Sequence, residues 1–221
     1  MAADETPEFE AGKAGASARR EHQRRLANRE ARTRLKHRRI GGILLALQDA
    51  PANEQAWARG AEGEERVARR LTKLCGGRVI LLHDRGIAGS RTNIDHIAVA
   101  PSGVWVIDTK RYKGKVSVVT PLLGPEKLVI AGRDKSSLAD GLGRQVAAVE
   151  AATAGLGFHV PVRGAFCFVD AELPMLWRRT FRDYRLLHPR GLARRMNARG
   201  ELAAGQVQVV AAQLASRFPA A

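Results

Sequence analysis

A chain of 221 residues with 45% hydrophobic content is sized for one core-bearing domain plus an extension, and it is too apolar to be disordered throughout. Its 37 Lys and Arg against 22 Asp and Glu give a net charge of +15 and a pI near 11.0, which favours a polyanionic partner, nucleic acid before an anionic membrane surface. With 5% aromatics a stacking platform for single strands is not evident, and two distant cysteines, Cys75 and Cys167, outside any CxxC pair, argue against zinc and for free thiols in a reducing cytoplasm rather than a disulfide.

The N-terminus, Met1-Ala2-Ala3-Asp4-Glu5, shows no basic-then-apolar leader, so a cytoplasmic location is expected. Residues 1–17 are polar and rich in Gly and Ala, the composition of a disordered tail. From Ser17 to Arg39, arginines crowd between Ala and Leu, with Ser17 as a candidate helix cap. Leu26 and Leu35 are too sparse for an apolar face, so residues 1–50 read as a basic arm, disordered or helical, that orders on a partner. Arg19, Arg20, Arg24 and Arg25 are its candidate phosphate contacts; a solvated tail is the bland alternative. The longest apolar run, Ile40 to Leu47, is too short to span a bilayer, so membrane association is not expected. A linker over Gln48–Gln55 leads into a domain spanning 56–218.

Trp57 to Cys75 has helical spacing in Val67, Leu71 and Leu74 and a Gly76-Gly77 stop. Glu64 lies near its start, where an acid also favours the helix dipole. Arg78–His83 reads as a first strand and Asp84–Arg91 as a loop. Then come two β-branched runs about Pro101-Ser102-Gly103, a hairpin signal. With Ser102-Gly103 as the loop, Asp95 opposes Lys110 and Ile97 opposes Asp108. Side chains alternate with a period of two, so Asp95, Asp108 and Lys110 share one face. A strand-end salt bridge accounts for them; so does a Mg²⁺ site, since hard cations take carboxylate oxygens and bridge to phosphate. His96 points to the opposite face and, like His83, reads as structural.

Arg111, Lys113 and Lys115 follow, three charges suited to a phosphodiester backbone or to an ordinary turn. Val116–Thr120 and Lys127–Ala131 read as strands, Gly132–Ser136 as a loop, and Leu138–Leu156 as a helix with Leu142, Val146, Val149 and Thr153 inward. Val160–Val169 is a near-continuous apolar strand, expected to join the sheet in parallel through that crossover helix, with Asp170 and Glu172 in the loop beyond. Residues 177–199 are again arginine-rich, with a short strand at Tyr184–His188 and a short helix at Gly191–Asn197. Ala203–Phe218 is a closing helix.

Asp95, then Asp108-Thr109-Lys110, resembles the core of the PD-(D/E)xK nucleases. Gly60-Ala61-Glu62-Gly63-Glu64, Asn93-Ile94-Asp95-His96, Gly103-Val104-Trp105-Val106-Ile107-Asp108-Thr109-Lys110 and Lys113-Gly114 together resemble the nuclease-related domain family within that superfamily, over roughly Arg59 to Thr153. One departure is Asp108, where many relatives have Glu. The resemblance implies an α/β fold, a restriction-endonuclease-like mixed sheet flanked by helices, and a Mg²⁺-dependent DNA phosphodiesterase for which Mn²⁺ can substitute. It implies Asp95 and Asp108 as metal ligands, the Thr109 carbonyl as a further ligand, Glu64 in the metal shell, Lys110 orienting the water, and Gln145 touching the site. No P-loop, GxGxxG or GxSxG is present, so no small-molecule cofactor is expected. A non-catalytic nucleic-acid-binding module is the alternative; oligomeric state is open.

Overall fold

The computed structural model describes residues 10–36, 52–90, 92–173 and 180–221. The predicted Ile40–Leu47 run, the first half of the linker, and Arg178 and Arg179 lie outside the described residues. Helix α1 runs Ala16–Lys36 and α2 Ala52–Leu74. Strands β1 to β6 follow: Ile80–Gly86, Asn93–Ala100, Gly103–Lys110, Gly114–Val119, Lys127–Ile130 and Arg133–Asp134. Helix α3 (Leu138–Thr153) precedes β7 (Val162–Phe168), β8 (Ala171–Glu172), β9 (Thr180–Phe181) and β10 (Tyr184–Leu187), and α4 (Pro189–Met196) and α5 (Ala204–Arg217) close the chain.

Among the described residues the strands form a six-stranded sheet ordered β1-β2-β3-β7-β10-β9 and a four-stranded one ordered β6-β5-β4-β8. The first is mixed: β1, β2 and β3 are antiparallel, while β7 lies parallel to both β3 and β10. The parallel addition expected after the crossover helix is therefore present. Strand β3 is buried from Gly103 to Asp108 instead of alternating, because both sheet faces are covered. On one face, Ile97, Val99, Val104 and Val106 meet Leu142 and Val149 of α3 and Val207, Val210 and Leu214 of α5. On the other, Ala98, Ala100, Trp105 and Ile107 meet Val67 and Leu71 of α2 and Leu192 and Met196 of α4. Each fully buried Leu, Ile or Phe here contributes about 1.5–3 kcal/mol. This mixed α/β sheet flanked by helices is the expected fold class and is consistent with a nuclease-like fold. No helix among the described residues is long and apolar enough to cross a membrane.

Several expectations need correction, among them the Gly132–Ser136 loop, which holds the short strand β6 paired with β5. The hairpin pairs Ala100 with Gly103 and His96 with Ile107, so Pro101-Ser102 is the loop and the register sits two residues from the expected one. Gly103 has φ +110 and lies against the Pro161 carbonyl, where a Cβ would collide; it begins β3 and is not part of the turn. A two-residue slip keeps every side chain on its face, so Asp95, Asp108 and Lys110 stay together, with Asp95 now opposite Asp108. Strand β1 reaches Gly86, pairing Arg85 with Ile94 and Gly86 with Asn93, across what reads in sequence as a polar loop. Asp84 and Arg85 can be buried there because other parts of the chain supply their partners. Helix α2 begins at Ala52, inside the expected linker. Glu172 lies in β8, whose two residues pair in parallel with Gly114 and Lys115 of β4, and not in a loop.

Candidate active site

The site is built where β1 and β3 end and β2 begins, beside the middle of α2. Hydrophobic runs on β2 and β3 hold the hairpin in register, and that register brings the two aspartates side by side. The Lys110 ammonium lies 2.6 Å from Asp108 Oδ1. Asp95 Oδ2 accepts the Thr109 amide at 2.7 Å, which ties β2 to the end of β3. Glu64 reaches the same place from α2, because Gly63 lets the helix approach: a Cβ at Gly63 would stand 3.1 Å from Arg111 Cβ and 3.6 Å from Thr109 Cγ2.

The charges interact as a group. Burial pushes the Glu64 carboxyl up to about 7, helped by the Asp84 and Asp108 charges and opposed by the Gly15 amide and Lys110. Burial also holds Asp95 well above the usual carboxylate range, with Glu64 and Asp108 adding to it and Lys110 and the Thr109 amide opposing. Burial alone would lower Lys110, but the Asp108 and Asp95 carboxylates outweigh it and hold the ammonium above its ordinary value. Three carboxylates therefore crowd around one cation, and a divalent ion relieves such crowding. Among the described residues no group of three or more His, Cys, Asp or Glu side chains is placed to hold a metal ion. An open pair of carboxylates suits Mg²⁺, which binds one or two and completes its shell with water and phosphate.

Gln145, on α3, donates its Nε2 to the Asn93 carbonyl at 3.0 Å, at the head of the strand that carries Asp95. Its Oε1 is buried without a protein partner, an orphaned acceptor that a water or ligand at the site would satisfy. His96 turns to the other sheet face, as expected. Its Nε2 lies 3.1 Å from Thr109 Oγ1 and its Nδ1 lies 2.9 Å from Nδ1 of His83, its cross-strand partner. Burial lowers both rings, His83 to about 4, so the pair is neutral and braces Thr109 from behind.

Beside Lys110 a cleft of about 610 Å³ is lined by Arg59, Gly60, Thr109, Arg111, Tyr112, Lys113 and Asp170. Lys113 and Lys115 are exposed. Arg111 is already engaged: its Nε meets Asp170 at 2.9 Å and its Nη1 meets Glu62 at 2.5 Å, while Arg66 binds both Asp170 oxygens at 3.0 and 3.2 Å. The Arg111 guanidinium holds the Asp170 carboxyl below its usual range. Asp170, placed beyond the strand by the sequence, thus orients two arginines at the cleft.

The basic segment is a docked helix at its start. Arg19 pairs with Glu65, and Arg24 and Arg25 both pair with Glu21, while Arg20 is exposed. Ser17 is not the cap of α1; its amide and hydroxyl donate to the Asp84 carboxylate, each at 2.6 Å. Asp84 is the residue that sequence reasoning missed. A single acid after an apolar run carries no spacing signal, and its partner Ser17 lies 67 positions upstream.

The family model of the nuclease-related domain matches residues 59–169, half of the chain, and covers Glu64, both aspartates of the hairpin, Lys110, Gln145 and the cleft lysines. The chain is also 41% identical over 75 residues to an uncharacterized protein of Bacillus anthracis. That match spans 33% of this chain and 35% of the relative. No solved structure matches the chain. A family match that takes in the crowded carboxylates, their lysine and the adjoining basic cleft leads to one conclusion: the chain belongs to the nuclease-related domain family.

Proposed function

We infer that this protein is a metal-dependent nuclease that hydrolyses DNA phosphodiester bonds. The observation that carries this reading is the meeting of Asp95, Asp108 and Lys110 on one sheet face, with Glu64 against them and a basic cleft alongside. Asp95 and Asp108 are the ligands for Mg²⁺ or Mn²⁺, with Glu64 and the Thr109 carbonyl in support. When bound, the cation offsets negative charge building on the phosphate, a contribution of several kcal/mol in such sites. Lys110, already charged and held by Asp108, donates to the attacking water or to the developing oxyanion. Lys113, Lys115 and Arg111 hold flanking phosphates. Gln145 keeps the start of β2 in place and offers its spare oxygen to the site.

The Lys110–Asp108 ion pair alone would also suit a non-catalytic nucleic-acid module. Asp95 and Glu64 speak against that, since a pure phosphate binder gains nothing from three carboxylates beside its lysine. Incubation of plasmid and linear DNA with Mg²⁺, Mn²⁺ or chelator decides between the two. Cleavage is expected with either cation and absent with chelator, and Lys110→Ala is expected to lower its rate about 10²-fold, the lower end for one oxyanion donor. Failure of the wild type to cut any DNA with either cation would leave the binding module standing.

The cleft lysines have a separate signature. Lys113→Ala is expected to weaken duplex binding across sequences and to reduce the slope of log K against log salt by about 0.9, the share of one phosphate contact. An unchanged slope in a salt titration would place Lys113 away from the DNA.

A further inference from the structure

The first described turn of the chain is part of the catalytic pocket's wall. Gly12 and Gly15 have φ +74 and +71, the left-handed region that favours glycine. A Cβ on Gly15 would stand 2.8 Å from the Ala61 carbonyl oxygen, and one on Gly12 would collide with the His83 carbonyl. His83 donates its amide to the Ala11 carbonyl at 2.7 Å, and the buried Arg85 donates to the Glu10 and Phe218 carbonyls. Ala14 and Ala18 are buried. The Gly15 amide faces Glu64.

Asp84 fastens this turn. The pairs His83–His96 and Arg85–Ile94 bracket it opposite Asp95, so Asp84, Asp95 and Asp108 stand in a row across β1, β2 and β3. Asp84 is 1% exposed and has φ 49, a conformation that Asp adopts more readily than most residues. Its carboxylate accepts the Ser17 amide and hydroxyl and the Asn93 side-chain amide at 2.9 Å, so its oxygens already serve protein donors and not a cation. An anion against the first free amides of α1 is also the favoured charge at a helix N-terminus. Beyond that root α1 carries exposed cations, Arg20 and Arg24, one helical turn apart on one face; Arg24 shares Glu21 with Arg25 in a solvent-exposed pair of little net strength, while Arg19 is spent on Glu65.

We propose that α1 is a nucleic-acid-holding rod latched to the catalytic pocket, with Asp84 and Ser17 as the latch, so that duplex held by Arg20 and Arg24 is delivered at a set position relative to Asp95 and Asp108. Asp84 and Ser17 are then positioning residues, acting through α1 and through the Gly15–Glu64 contact. This deepens the nuclease reading and rests on it for the substrate, but the latch and the DNA contact can be read without cleavage.

The test uses the full chain, a short DNA duplex and two measurements: amide hydrogen exchange over residues 15–20, and duplex Kd with its salt slope. Ser17→Ala is expected to speed exchange there about tenfold and to raise Kd several-fold, and Ser17→Thr, which restores the hydroxyl, to recover both. Arg20→Ala with Arg24→Ala is expected to raise Kd about tenfold and reduce the salt slope by about 1.8 without changing the exchange. Where the wild type cleaves, Ser17→Ala also lowers kcat, whereas the arginine pair raises KM alone. Asp84→Asn repeats the Ser17→Ala pattern if it folds; the serine variants carry the test if it does not. Unchanged exchange in Ser17→Ala overturns the latch. Faster exchange with unchanged Kd, or an arginine pair that binds duplex like the wild type, overturns the rod. If the wild type never cleaves but these binding and exchange effects appear, the latch stands and the nuclease reading falls.

Discussion

Asp108→Asn and Asp108→Ala are each expected to lower Mg²⁺-dependent cleavage by at least about 10³-fold, or roughly 4 kcal/mol of transition-state stabilisation, while duplex binding changes less than about threefold. On the proposed reading the two effects separate because Asp108 would hold the cation while its own charge repels phosphate, and the cleft and α1 would supply the attraction. The two variants differ in stability. Alanine removes the partner of the Lys110 ammonium, 2.6 Å away and largely shielded from water, and is expected to cost about 1–3 kcal/mol, a Tm drop of roughly 3–10 °C. Asparagine keeps an oxygen for Lys110 and is expected to lose about half of that. Cleavage assays with matched Kd and thermal melts read all three quantities, and full cleavage by Asp108→Asn would remove Asp108 from the chemistry.

Without divalent cation, the wild type is expected to lose stability relative to Glu64→Gln as pH rises from 4.5 to about 7. The Glu64 carboxyl titrates near 4.5 in the open chain and about 7 in the folded one. Between those values the unfolded chain has released a proton that the folded protein keeps. Stability is therefore fully present below 4.5 and lost as pH climbs to 7, by about 3 kcal/mol from this group. Asp95 adds to the loss in the same direction. His83 opposes it: its folded value of about 4, against 6.5, costs stability as pH falls from 6.5 to 4. The wild-type curve alone thus mixes two slopes, and the difference from Glu64→Gln isolates the carboxylate. Mg²⁺ favours the ionised carboxylates, so it is expected to raise Tm most near pH 7.5 and least near pH 5. A difference curve flat in pH would remove Glu64 from the cluster, and a Mg²⁺ effect independent of pH would place the cation elsewhere.

Much of the site was legible before the fold because β-strand periodicity is local. Asp95, Asp108 and Lys110 share a face in any register of the right parity, so an error of two residues in the hairpin moved Asp95 from Lys110 to Asp108 and cost nothing in grouping. The helical repeat of Val67 and Leu71 likewise oriented α2, and Gly63 explains how it comes close. Contacts between distant segments were not legible. Asp84 and Arg85 read as loop residues, since a polar pair after an apolar run is what a loop looks like. They lie in a strand because Ser17 binds the Asp84 carboxylate and the Glu10 and Phe218 carbonyls take the Arg85 Nη groups, from far along the chain in both directions. Arg111 read as a phosphate contact or a turn residue, and nothing local showed that Asp170 and Glu62 pair with it.

By itself the sequence determined the charge of the molecule, the core of the hairpin and the face on which two aspartates and a lysine meet, because each follows from composition or from the period of a single element. Only the tertiary structure decided that the basic segment is rooted in the pocket, that Asp84 stands in line with Asp95 and Asp108, and which arginines are already paired. Those features depend on hydrogen bonds and ion pairs across tens to more than a hundred positions, and no local pattern encodes which buried carboxylate will find which distant donor.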